Sequence, residues 1–135
     1  MVDFEQKPEY LDFVNEILDT DFDLRHARCI ASVTQERING VVVFSRFSSY
    51  NCEWTAASVT PMFLRAPFIQ ACFRYAFIQC NLHRISAIAD ARNTKSHRLL
   101  LKLGFVKECD LEQMFGANDG ILFKMLKRNC RWLHG

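Results

Sequence analysis

Asn93-Thr94-Lys95-Ser96-His97-Arg98-Leu99-Leu100-Leu101-Lys102-Leu103-Gly104-Phe105 reads as one complete helix with both of its ends. Asn93 or Thr94 is suited to cap the start, because a short polar side chain accepts a hydrogen bond from an otherwise orphaned helix N–H. Leu99, Leu100 and Leu103 share one side at helical spacing. Gly104 suits the left-handed residue that ends a helix, and Phe105 then folds back on the last turn. Just upstream, Ile85-Ser86-Ala87-Ile88-Ala89 within Arg84 to Asp90 is short and apolar, as a buried strand is. The unit is strand, helix, strand.

Working outward, a long helix is expected from about Pro67 to Leu82. Gln70, Arg74 and Asn81 leave it only a narrow polar stripe, so it should be sandwiched against a sheet. Before it come three strands, Ala27 to Val33, Val41 to Phe44 and Glu53 to Val59, the last ended by Pro61. Asn39-Gly40 is a hairpin signal between the first two. Pro8 to Leu18 is a helix, with Leu11, Val14, Ile17 and Leu18 on its apolar side. Downstream, Val106 to Phe115 and Ile121 to Leu126 are strands joined by a turn over Gly116 to Gly120. A basic, aromatic tail follows from Asn129. Short links among the early strands predict an antiparallel meander, and the long helix predicts one parallel crossover. The fold class is α/β (α+β mixed sheet), with helices on both faces of a mostly antiparallel sheet.

The chain of 135 residues fits a single domain over 1–135. With 50% hydrophobic residues and twelve Phe, it is not a mainly disordered chain. No apolar run reaches the ~18 residues of a membrane span. The N-terminus lacks the basic-then-apolar pattern of an export signal, so a cytoplasmic location is expected. The formal charge of +2 is too balanced to imply nucleic acid by itself. Six cysteines without CxxC spacing are expected to be reduced structural thiols, and no metal site is expected.

The segment Asn93 to Phe105 resembles the Gcn5-related N-acetyltransferase (GNAT) superfamily, whose pattern here is Asn-x-x-Ser-x-x-ϕ-x-x-Lys-Leu-Gly-Phe with ϕ apolar. Ser96 stands where the subgroup that acetylates protein N-termini has it. Arg84 to Arg92 matches the family's fifth strand, and the tail Met125 to Leu133 looks like that of small phage-encoded members. The resemblance covers roughly residues 27–133. It implies a GNAT-like sheet with a splayed parallel pair. The family's first strand has no counterpart that the sequence reveals.

The resemblance further implies acetyl-CoA as cofactor, lying where the fourth and fifth strands part. The strand ending in Ser58 and Val59 would pair with the pantetheine arm as if with an added strand. The pyrophosphate would sit at the start of the next helix, near Arg65, Ala66 and Phe68. Asn93 would contact the pantetheine arm and Ser96 the phosphate side. The family's glycine-rich loop is replaced by Leu64-Arg65-Ala66-Pro67-Phe68-Ile69, without glycine and with a proline that has no N–H. Either Arg65 supplies charge in place of those donors or the site binds CoA weakly.

Acetyl transfer to an amine needs a neutral nucleophile, so a base must take a proton, and the thiolate leaving group can use an acid. A strand N–H commonly polarises the thioester carbonyl. The resemblance implies Glu53 as base. The family's usual acidic Tyr is replaced by Leu100, with Ser96 as a weak substitute. Asp21, Asp23, His26 and Tyr50 lie on loops that could reach an acceptor, whereas His83 and His97 read as cap or surface residues.

The expected function is an acyl-CoA-dependent N-acyltransferase acting on a protein N-terminus, lysine or small amine. The alternative is a catalytically idle module of this fold that binds a protein partner. Arg65, Arg74, Lys127, Arg128, Arg131 and Trp132 offer a weaker nucleic-acid reading. Trp132 and Leu133, on a tail expected to be exposed, could mark a homodimer edge.

Overall fold

The computed structural model describes residues 1–60 and 65–134. Its elements are β1 (Val2–Asp3), α1 (Pro8–Leu18), β2 (Ala27–Thr34), β3 (Arg37–Ser45), β4 (Asn51–Ser58), α2 (Ala66–Arg74), β5 (Arg84–Asp90), α3 (Thr94–Leu103), β6 (Val106–Phe115) and β7 (Asn118–Leu126). The strands form one seven-stranded sheet in the order β1-β2-β3-β4-β5-β7-β6. Among the described residues, β4 and β5 are the one parallel pair, and the other neighbours are antiparallel. The mixed sheet, the crossover and the order of the later elements are as the sequence predicts.

Alternation along the strands sends apolar side chains to both faces, and each face meets different helices. On one face Phe44, Trp54, Ile85, Phe123 and Met125 pack with Phe73 and Phe77 and with Leu100 and Leu103 of α3. On the other, Cys29, Ala31, Val41 and Val43 meet Tyr10, Leu11 and Val14 of α1. That second cluster takes nothing from β5, β6 or β7.

Four details differ from the sequence reading. First, the missing strand exists: Val2 and Asp3 pair with Ser32 and Ala31 of β2. The N-terminal ammonium donates to the Val33 carbonyl at 2.7 Å, and the Tyr10 hydroxyl donates to Asp3. Two residues are too few to show a period.

Second, the β2–β3 turn is Gln35-Glu36, both left-handed at φ 51° and 65°, as a two-residue I′ turn requires. Asn39-Gly40 lies inside β3 beside a bulge. A turn there would have set Val42–Phe44 against polar Gln35, Glu36 and Arg37. The turn used instead pairs Cys29 with Val43 and Ala31 with Val41, burying apolar against apolar.

Third, α2 does not run as a regular helix to Leu82. It widens into a π-helical segment over Tyr75–Gln79 and stops before Asn81, which is left-handed at φ 53°.

Fourth, the tail is docked. Cys130 is buried. The Trp132 ring stacks on Phe73 with centroids 6.4 Å apart, and its Nε1–H donates to the Leu103 carbonyl at 2.7 Å. Arg131 Nη2 donates to the Lys102 carbonyl at 2.5 Å. These two groups are spent on carbonyls at the end of α3, so Arg131 and Trp132 are held against the fold and do not stand out as a free tail.

The six cysteines are free thiols, with Cys29, Cys52, Cys72 and Cys130 buried. Burial pushes the Cys52 thiol up to about 12. Among the described residues, no helix is long and apolar enough to cross a membrane.

Candidate active site

The parallel ladder between β4 and β5 has three rungs: Asn51 with Arg84, Cys52 with Ile85, and Glu53 with Ser86. Past the third rung the strands part. Each keeps its other neighbour, since β4 stays paired with β3 up to Ser58 and β5 with β7 up to Asp90. The inner edges of Trp54–Ser58 and Ala87–Asp90 therefore have no strand between them.

A cleft of about 740 Å³ occupies that opening. Its β-strand walls include Trp54, Ala56, Ala57, Ala87 and Ala89, which are small or apolar. Ser58 and Val59 lie at its β4 end, and Asn93 and Ser96 line it from the start of α3. Four of the residues expected to meet a cofactor thus share one cavity.

Asn93 is the helix cap. Its Oδ1 accepts the Ser96 backbone N–H at 3.1 Å. Leu100, in place of the family's tyrosine, is buried and lines the same cleft. Lys95, Arg98 and Lys102 line it too. The lining carboxylate, Asp90, is drawn down to about 2 by hydrogen bonds from Arg92. His97 instead turns its Nε2 to the Asp90 carbonyl at 2.9 Å.

The start of α2 is placed differently from expectation. Arg65 is the N-cap position and Ala66 the first helical residue, and among the described residues neither lines the cleft. Phe68 is buried in the core. Its backbone N–H, like that of Ile69, donates to the Arg65 carbonyl at 3.1 Å. With Pro67 lacking an N–H, this turn keeps few donors for an anion. Pro61, Met62, Phe63 and Leu64, which carry the preceding part of the expected pyrophosphate loop, lie outside the described residues.

Glu53 is on the last rung and points to the α1 face. Its carboxylate pairs with Arg46 Nε at 3.3 Å. Beside it runs a polar network that the sequence reading missed. Ser86 Oγ donates to Asn51 Oδ1 at 2.7 Å, Arg84 donates to Ser86 Oγ at 3.1 Å, and Glu108 is held by Arg84 at 2.8 Å and Lys124 at 3.3 Å. These partners keep the Glu108 carboxyl below its ordinary value. The one available signal was the polar Ser86 inside an otherwise apolar strand.

A second cavity of about 880 Å³ contains Asp21, Asp23 and His26 with Arg25, Arg28 and Arg46. Phe22 borders both cavities. Asn15 fixes it, donating to the Phe22 carbonyl at 2.9 Å and accepting its N–H at 2.8 Å. Tyr50 is not in either; it is exposed and meets the His83 ring edge-on.

No protein-family model matches the chain, and no curated protein sequence does. Solved structures do. A chimeric spermidine N-acetyltransferase SpeG from Vibrio cholerae and hSSAT is 16% identical, with 95% of this chain and 96% of that one covered and a TM-score of 0.72. A ribosomal-protein-S5-alanine acetyltransferase from Vibrio fischeri is 26% identical over 80% of this chain and 64% of its own length, just under two thirds, with a TM-score of 0.64. The N-acetyltransferase PseH of Campylobacter jejuni, solved with acetyl coenzyme A, is 16% identical, with 88% and 78% covered and a TM-score of 0.61.

Proposed function

From the Gcn5-related N-acetyltransferase fold that this chain has, we propose that it is an acetyl-CoA-dependent N-acetyltransferase acting on an amine. The observation that carries the reading is the parting of β4 and β5 directly after Glu53 and Ser86, over a cleft lined by Asn93 and Ser96. The fit to the cofactor rests on the same cleft. Its unpaired strand edges, apolar strand walls and basic helix side suit a long amide-bearing arm that ends in phosphates.

When bound, acetyl-CoA supplies the acetyl group as a thioester. The open edge of β4 orients the arm through backbone groups, with Ser58 and Val59 at its outer end. Asn93 holds the start of α3 in place and faces the arm. Glu53 takes a proton from the incoming ammonium, whose pKa is ~10.4 for a lysine or ~7.7–8.0 for an α-amine, so that a neutral amine attacks. With Leu100 in the tyrosine position, the hydroxyls lining the cleft include those of Thr55, Ser58, Thr60 and Ser96, and Ser96 is the weak substitute that would serve the leaving thiolate.

Calorimetric titration with acetyl-CoA, with CoA beside it, tests this. Micromolar binding followed by free-thiol release against a panel of amines, α-amino peptides and lysine peptides supports the reading. No binding at millimolar cofactor overturns it in favour of an idle module that meets a protein partner.

A further inference from the structure

We infer that the phosphates of the coenzyme are held by side chains of α3, namely Lys95, Arg98 and Lys102, in place of the backbone donors of a glycine-rich loop; this rests on the acyl-CoA reading of the cleft. The three cations line the cleft together. At spacings of three and four residues they fall on one helix face, and from Lys95 to Lys102 they run ~10 Å along the axis. Leu99 and Leu100 line the cleft between them.

One observation points to an anion, and a second bears on the competing site. The first is the charge pattern. Helix α3 has no acidic residue from Thr94 to Leu103, and among the described residues none of its three cations stands in an ion pair. Lys95 sits in the first turn, where the helix dipole disfavours a cation and welcomes an anion. A local rule broken at a cleft is what a binding role produces. The second concerns the start of α2: among the described residues there, Pro67 has no N–H, and those of Phe68 and Ile69 are given to the Arg65 carbonyl.

The consequence is a site that reads phosphate charge. It should favour CoA over 3′-dephospho-CoA, and both over pantetheine, with an affinity that falls as salt rises.

The test is calorimetry of the whole chain with CoA, 3′-dephospho-CoA and pantetheine. The proteins are the wild type, Lys95→Ala, Arg98→Ala, Lys102→Ala and the triple variant. All three positions are exposed, and a charge-retaining Arg98→Lys controls for folding. Each alanine should weaken CoA by about three- to tenfold, as expected for solvent-exposed charge contacts. The triple variant should lose the preference among the three ligands and its salt dependence, with pantetheine unchanged and Arg98→Lys near wild type. CoA binding that is equal in the wild type and the triple variant overturns the inference and leaves the cofactor reading intact. Equal weakening of CoA and pantetheine also overturns it, because the effect is then structural. A wild type that binds none of the three overturns both.

Discussion

Glu53 and Ser86 face each other across the last rung that joins β4 to β5. Ser45, Glu53, Ser86 and Lys124 lie side by side on successive strands, so their side chains share the α1 face. The backbone that carries the Glu53 carboxylate is therefore fixed at the vertex where the sheet opens. Strands on both sides anchor that vertex, and it does not depend on loop conformation. This is the rigidity a proton acceptor needs if it is to meet a nucleophile at a defined place.

Replacing Glu53 by Gln should lower turnover by about 10²-fold, the low end for a positioned base, and leave cofactor affinity nearly unchanged. The measurement is free-thiol release across pH beside a CoA titration. Turnover unchanged at every pH would remove Glu53 as the base.

Arg46 bears on the same carboxylate. It pairs with Glu53 at 3.3 Å from a side chain that is 81% exposed, and such pairs contribute little, about 0–1 kcal/mol. A cationic acceptor must displace it. Arg46→Ala should lower the KM of an active amine about threefold with kcat held. A raised KM would show instead that Arg46 contacts the acceptor.

How much of this was legible depends on where the information is local. Asn93, Gly104 and the leucines of α3 specify a helix and both of its ends within thirteen residues, and the structure agrees residue for residue. The β2–β3 turn was misread because Asn39-Gly40 carries a strong local signal that lost to non-local pairing of two apolar runs. The Arg84–Ser86–Asn51 and Arg84–Glu108–Lys124 contacts join four strands and were invisible for the same reason. Sequence order placed Asn93 and Ser96 in the cleft, whereas Phe68 went to the core, since an apolar helix start is equally good as packing.

Asn93 does two things that substitution can separate. Asn93→Ala removes the cap of α3, at a cost of about 1 kcal/mol, and removes a polar group from the cleft. Asn93→Ser restores the cap alone. If Asn93 meets the cofactor arm, both variants should bind acetyl-CoA more weakly while only the alanine melts lower. Full binding by Asn93→Ser confines the residue to capping.

Acid should unfold the chain through paired carboxylates. Asp90 falls from 3.8 to about 2 through its bonds from Arg92. Asp3 is lowered chiefly by the Tyr10 hydroxyl, and Glu108 by Arg84. For a lowered carboxylate, the stabilisation is whole above the unfolded pKa and is lost as pH falls through the folded one. Melting temperature should hold from neutrality to about pH 4 and then drop toward about pH 2. Asp90→Asn should flatten part of that drop; an identical acid profile would show that the Arg92 pair contributes nothing.

The last prediction concerns the tail as a strut for the cleft. Trp132 stacks on Phe73 and donates to Leu103, while Arg131 lies over the indole at 4.6 Å and donates to Lys102. Both carbonyls are at the end of α3, among the orphan acceptors that a helix leaves behind. At that end Gly104 is left-handed at φ 107°, and a Cβ there would stand 3.1 Å from Arg131 Nη1 and from Met125. Trp132→Ala should therefore cost about 2–3 kcal/mol, below the ~3–5 of a fully buried aromatic, because Trp132 is half-buried. Trp132→Phe keeps the stack and loses the hydrogen bond, so it should cost about 1 kcal/mol. Chemical denaturation measures both. Since Leu99, Leu100 and Lys102 line the cleft, loosening this end of α3 should also weaken CoA binding in Trp132→Ala well below its unfolding midpoint. Loss of stability with CoA affinity intact would make the tail a fastener of the core only, with no part in shaping the cleft.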